Sequence, residues 1–158
     1  MTEPTLIRAG DAEVLSDAPG SLITLLADSA AATTNRATLS QGVFGTPAHF
    51  HTRATEFFYV LDGALQVLAG EDLHTLEPGD FLAVPPTVPH AFGPAAGSAA
   101  DVLVVFTPGM ARFGYYRLLD RVARGEADPK EIAASSEQYD NHYVDSPRWR
   151  QARADAAA

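Results

Sequence analysis

Between Ser21 and Thr107 the chain is a series of short apolar runs, each cut off by glycine, proline or aspartate. Leu22–Ala27, Thr33–Leu39, Phe57–Leu61, Ala64–Ala69, Leu73–Leu76, Phe81–Val84 and Val102–Phe106 are too short for helices. They are rich in β-branched and aromatic residues, as strands are. Asp62-Gly63 between two such runs predicts a tight hairpin, Gly70-Glu71-Asp72 a second turn and Glu77-Pro78-Gly79-Asp80 a third. Phe81–Val84 and Val102–Phe106 are apolar throughout, which predicts strands covered on both faces. Many short strands at regular spacing restrict the fold to a mostly β sandwich or barrel.

The pattern changes after Pro108-Gly109. Phe113, Tyr116, Leu119 and Ala123 fall at helical spacing within 111–124, and Gly125 is a C-terminal stop. Asp128-Pro129 followed by Glu131 predicts a second helix start, and Ser146-Pro147 a last helix around Trp149. There is no internal repeat and no long linker. We expect a single domain over 1–158, with a β-barrel over 20–107 and a helical segment, 111–158, packed on it. Those last residues alone would bury too little surface to fold. Arg117, Arg121 and Arg124 share a helical face, either solvated or docked on the acidic β unit.

Composition narrows the function. The absence of cysteine rules out disulfides, thiolate zinc sites, iron–sulfur clusters and cysteine nucleophiles. No apolar run approaches the ~18 residues that cross a bilayer, and Met1-Thr-Glu-Pro does not open like a secretory leader. A cytoplasmic location without membrane partners is the expectation. The net charge of −9 lies in residues 1–110, which carry three bases and twelve acids. That field repels phosphate backbones, so nucleic acid is not an expected partner.

The chemistry concentrates in four residues. His49 and His51 are two apart, so in a strand both imidazoles face one point. Glu56 leads the next strand on the face of Phe58 and Val60, where an unpaired carboxylate is costly and a metal ion removes the cost. His90 follows the Gly79…Pro85 turn and strand and precedes Phe92 on its own face. Three neutral nitrogens and one carboxylate suit a divalent Ni, Fe, Co, Mn, Cu or Zn ion and not Mg or Ca. Such a set leaves positions open for a substrate with dioxygen or water. The other histidines, His74 and His142, are expected to be satisfied core residues.

These residues resemble the cupin family. Its first motif is similar to Gly45-Thr-Pro-Ala-His49-Phe-His51-Thr-Arg-Ala-Thr-Glu56 through Gly63, although neither Gly42 nor Gly45 stands at the usual distance from the histidines. Its second motif is similar to Gly79-Asp-Phe-Leu-Ala-Val-Pro85-Pro-Thr87-Val-Pro-His90, with Thr87 in place of a glycine and Pro94 in place of an asparagine. The resemblance implies a jelly-roll barrel with a metal bound inside by His49, His51, Glu56 and His90, and pairing into a homodimer. Arg112–Leu119, Ser136–Asp140 and Trp149 further resemble the single-cupin quercetin 2,3-dioxygenases of actinobacteria. That likeness implies ring-cleaving oxidation of a flavonol-like or other aromatic hydroxy-ketone by dioxygen, with Glu56 as both metal ligand and base. Phe58, Leu65, Val67, Phe81, Phe92 and Phe106 are expected pocket residues. Tyr115, Tyr116, Tyr139, Tyr143 and Trp149 would either cover the barrel mouth or pack the tail onto it. Two alternatives stay open: a metal-dependent isomerase, decarboxylase or cyclase of aromatic polyketide metabolism, and a non-catalytic ligand-binding cupin.

Overall fold

Two antiparallel sheets enclose the core of the structure, a computed structural model that describes residues 3–158. The strands are β1 (Val14–Ala18), β2 (Ser21–Asp28), β3 (Thr33–Leu39), β4 (His49–Phe50), β5 (Thr55–Gly63), β6 (Leu65–Ala69), β7 (Asp72–Leu76), β8 (Phe81–Val84), β9 (His90–Pro94) and β10 (Ala100–Thr107). After them come α1 (Phe113–Ala123), α2 (Lys130–Ala134), α3 (Ser136–Tyr139), β11 (His142–Tyr143) and α4 (Pro147–Ala157). One sheet has the order β1-β2-β3-β10-β5-β8 and the other β11-β4-β9-β6-β7. This is the expected mostly β jelly roll with a C-terminal helical appendage.

Strand periodicity decides what lies between the sheets. Ala100, Val102, Val104 and Phe106 alternate inward along β10, opposite Phe58 and Val60 of β5. Leu65 and Val67 of β6 meet them from the second sheet. Each such side chain contributes roughly 1.5–3 kcal/mol by leaving water.

Three expectations need correction. Asp62-Gly63 does not close a hairpin, because β5 pairs with β10 and β8 while β6 pairs with β7 and β9. The chain instead crosses between sheets there. Gly63 has φ +73°, and a Cβ would lie 2.0 Å from the Ala99 carbonyl oxygen, so only glycine makes this corner. The hairpin that does form joins β6 to β7 through Gly70-Glu71. Next, β8 is an edge strand whose outer face is uncovered: Phe81 is 61% exposed and stacks on Phe57 at the surface. An apolar run can therefore mark an edge as well as a core strand. Finally, His74 is exposed on β7 rather than in the core. The helical tail also contributes a short strand, β11, which pairs with β4.

The tail is anchored at several points. Ser146 Oγ caps α4 by accepting from the Trp149 N–H, and Pro147 fits the first helical turn. Trp149 is fully buried with Ala48, Leu68 and Ala91, and its Nε1–H donates to the Thr46 carbonyl at 2.8 Å. Arg153 is buried and donates to the carbonyls of Val43, Phe44 and Pro94 and to Gln66 Oε1 at 2.8–3.0 Å. Of the arginine face on α1, Arg117 reaches Glu13 and Arg124 pairs within its own helix and with Glu126, so the stripe is largely solvated.

Thr87 stands where the cupin motif has glycine, and it has φ 70°, a region unfavourable for a β-branched residue. Its N–H donates to the His51 carbonyl at 2.7 Å, which ties the second motif's turn to the first motif. Thr87→Gly should leave stability equal or raise it by up to about 1 kcal/mol, because relief of strain slightly exceeds glycine's entropy cost. Urea unfolding measures this, and a clear loss would mean that the threonine side chain is needed. Trp149→Ala should cost about 3–5 kcal/mol, read by the same unfolding curve, since it opens a cavity and orphans a carbonyl.

Candidate metal centre

Both sheets contribute to one cluster. In the five-stranded sheet, His49 of β4 is in direct register with His90 of β9, so the two motifs meet as a cross-strand pair. Their ring centroids are 4.5 Å apart, and His51 lies 5.0 Å from His49 and 5.2 Å from His90. Glu56 reaches them from β5 in the other sheet, on the inward face with Phe58 and Val60 as expected. All four residues are buried, and one donor atom from each lies within 4.8 Å of the others.

The tautomers follow from hydrogen bonding. His49 Nδ1 is 2.8 Å from the Pro47 carbonyl, His90 Nδ1 2.9 Å from that of Val88 and His51 Nδ1 2.7 Å from that of Asp140. A carbonyl only accepts, so each Nδ1 carries a proton; in a neutral ring Nε2 then presents its lone pair inward. Glu56 Oε2 lies 3.0 Å from His51 Nε2 and 2.5 Å from His90 Nε2. A carboxylate against two lone pairs is repulsive unless a positive charge sits between them.

Without an ion, protons would have to fill these contacts. Burial pushes the Glu56 carboxyl up, yet His90 and His51 outweigh it and hold the group well below its usual range. Burial lowers His90, but Glu56 prevails and raises it, while burial and its two neighbours drive His49 well down. One added proton serves only one of the two Nε2–Oε2 contacts, whereas a divalent ion accepts all four donors at once. The donor set therefore fits a borderline transition metal.

The cluster opens onto a cavity of about 80 Å³ lined by His49 and Glu56. Oε1 of Glu56 makes no hydrogen bond among the described residues. Of the residues expected at the pocket, Phe92 and Phe106 line this cavity. Phe58, Leu65 and Val67 do not line it and are fully buried between the sheets. Phe81 is on the outer surface, because its position in β8 alternates outward. Tyr115, Tyr116 and Tyr143 line the cavity, while Trp149 packs elsewhere and Tyr139 packs against Tyr115.

Sequence reasoning missed several residues. Asp140, left-handed at φ 51°, holds His51 through its carbonyl. Its carboxylate accepts from the N–H groups of Thr52 and Arg53, from Thr52 Oγ1 and from His142. Burial raises that carboxyl, but these bonds win and bring it down to about 2. His142 is thus a partner of Asp140, stacked on Phe50 rather than in the core. Asp17, Asn35, Arg112 and Asn141 also line the cavity. Only Asn35, a polar residue at an inward position of β3, was signalled by strand alternation. Of the two glycines before the first motif, both at positive φ, Gly45 is sterically closed, since a Cβ would lie 2.2 Å from the Phe92 carbonyl oxygen, whereas Gly42 faces open space.

With this geometry in hand, residues 35–106 match the cupin domain family. KdgF from Halomonas sp. is similar in structure, with 22% identity, a TM-score of 0.59, and 67% of this chain covering 94% of that one. Streptomyces Pac13, described as a nucleoside dehydratase and solved as a variant with uridine, has 13% identity and a TM-score of 0.60 over 94% of this chain and 98% of its own. The iron(II) form of HppE has 17% identity and a TM-score of 0.59, over 67% of this chain and 62% of that one. At these identities the likeness is one of fold. No curated protein sequence matches the chain significantly. No helix among the described residues is long and apolar enough to cross a membrane. The domain match covers residues 35–106, and the solved structures share the fold of the barrel around it.

Proposed function

We propose that this chain is a metal-dependent cupin oxygenase that cleaves an aromatic or related conjugated hydroxy-ketone with dioxygen, both oxygen atoms entering the products. His49, His51, Glu56 and His90 would hold the ion. The observation that carries the reading is the two-sided carboxylate of Glu56: Oε2 belongs to the buried cluster, while Oε1 has no partner and its residue lines the cavity. A divalent ion there supplies Lewis acidity that makes an enol more acidic. Glu56 Oε1 takes the enol proton, and Phe92, Phe106 and the tail tyrosines keep water away from the reacting atoms. The cavity, about 80 Å³, is well below the roughly 300–1,000 Å³ of pockets that take drug-sized ligands. A small hydroxy-ketone therefore suits it better than a whole flavonol. HppE, solved with iron(II), is a precedent for a metal in this fold.

Barrel and tail act as one unit in this reading, because Arg112, Tyr115, Tyr116, Asn141 and Tyr143 form a wall of the cavity. The homodimer is likewise a proposal, supported by exposed Tyr59, Leu61 and Phe81 on the outer face of one sheet.

A second, non-oxidative reading draws support from Asp17. This cavity carboxyl has an oxygen without a partner and is raised by burial, as suits proton transfer in an isomerase or cyclase.

Elemental analysis of protein purified without added metal should find a transition metal, and His90→Ala should deplete it. Glu56→Gln should lower turnover by about 10²–10⁴ while metal content falls far less. If turnover and metal fall together, Glu56 is a ligand only; full function without Glu56 would mean a ligand-binding protein. Protein loaded with Ni, Fe, Co, Mn, Cu or Zn should consume oxygen with flavonols or smaller hydroxy-ketones in an oxygen electrode. Equal turnover of the same substrates without oxygen would replace this reading with the non-oxidative one.

A further inference from the structure

The tail side of the cavity holds a buried cation without a salt-bridge partner among the described residues, although Glu56 of the cluster attracts it through space. Arg112 is 4% exposed and makes no ion pair among the described residues. Its guanidinium makes one short hydrogen bond, Nη2 to Asn141 Oδ1 at 2.8 Å. Two long ones run to Tyr116 Oη at 3.3 Å and the Tyr139 carbonyl at 3.4 Å. The faces of Tyr115, Phe106 and Tyr116 surround it at 4.5, 5.1 and 5.4 Å. The contrast with Arg153 is instructive. Arg153 is equally buried and also lacks an acid, but four close acceptors satisfy it, and it does not line the cavity beside the cluster. Arg112 has fewer and weaker acceptors and does line that cavity.

Asn141 carries the second observation. A guanidinium only donates, so the oxygen of Asn141 must face it and the NH₂ must face away. That Nδ2 is buried and has no hydrogen-bond partner among the described residues. Both residues line the cavity that Glu56 and His49 line from the other side. An unpaired cation and an unpaired donor beside one cavity are complementary to an oxygen bearing negative charge.

We propose that Arg112 and Asn141 Nδ2 form an oxyanion-binding pair that holds an acidic or enolate oxygen of the substrate. The ligand class is then a small conjugated hydroxy-ketone or similar anion with two oxygens, one held by this pair and one at the histidine–glutamate cluster. The placement of that other oxygen rests on the metal reading above; the binding pair itself does not.

Asn141→Asp separates the roles. It keeps the shape and the acceptor toward Arg112, removes the Nδ2 donor and places an anion where the substrate oxygen would sit. Calorimetry of maltol binding to zinc-loaded protein, with difference absorbance to detect the maltol anion, provides the readout. Affinity should fall roughly tenfold or more in the variant. Zinc content should be unchanged and the melting temperature equal or higher, since the buried cation gains a partner. The methyl ether of maltol, which cannot ionise, should bind weakly to both proteins. Arg112→Lys, which keeps the charge but loses the fork, should also weaken maltol.

If Asn141→Asp binds maltol like the wild type, or the wild type retains zinc but does not bind maltol, the inference falls and the metal reading stands. If the wild type retains no zinc, the metal reading falls. The same comparison on metal-free protein then decides the anion pair: weaker maltol binding by the variant upholds it, and equal or absent binding overturns it.

Discussion

A buried carboxylate that faces two imidazole nitrogens governs the architecture around it. Glu56 Oε2 and the Nε2 atoms of His51 and His90 lie within hydrogen-bond distance, and each ring already donates its Nδ1 proton elsewhere. His49 and His90 use the same local device, each ring donating to the carbonyl two residues earlier, at Pro47 and Val88. The prolines at 47 and 89 stiffen both approaches. The acid comes from one sheet and the histidines from the other, so the site exists only when the two sheets are closed on each other. A positive charge at the centre therefore couples site formation to folding.

His51 breaks the local pattern and links the barrel to the tail. Its Nδ1 proton goes to the carbonyl of Asp140, which lies 89 residues later in the chain. Asp140 is in turn held by the Thr52 and Arg53 amides, so the tail grips both the ligand and the loop that follows it. Arg153 fixes the carbonyls of Val43 and Phe44 next to Gly45, at the entrance to β4. The C-terminal segment is consequently part of the site's support as well as a wall of its cavity. Damage to Trp149, which packs on Ala48 and Ala91 beside His49 and His90, would reach the cluster through this docking.

How much was legible in the sequence depended on whether local rules were enough. The strands, the inward face of Glu56, Phe58 and Val60, and the capped helix at Ser146 follow from period and capping chemistry, which act over a few residues. Gly63 misled because Asp-Gly suits a hairpin and a sheet-crossing corner alike, and only its distance from Ala99 distinguishes them. Phe81 misled because an apolar run does not say whether its strand has one neighbour or two. The four cluster residues were legible because metal ligation restricts residue type and spacing together. Arg112, Asn141 and Asp140 were not, since their roles arise from contacts between segments far apart in the chain, with no local pattern to mark them.

Places where this chain departs from local rules gather around the cavity. Thr87 takes a backbone conformation that glycine would adopt more easily, next to His90. Asp140 is left-handed where it holds His51. Asp17 and Asn141, the side chains with buried polar atoms lacking partners among the described residues, both line the cavity. A fold optimised for stability alone would pair Arg112 with an acid and fill the space beside it with apolar atoms. The surrounding core shows that the chain packs well elsewhere: Phe58, Leu65, Val67 and Val102 leave no exposed surface. The unmatched polar groups of Asp17, Arg112 and Asn141 line the cavity, where a ligand could satisfy them, as expected when preorganisation for binding competes with stability.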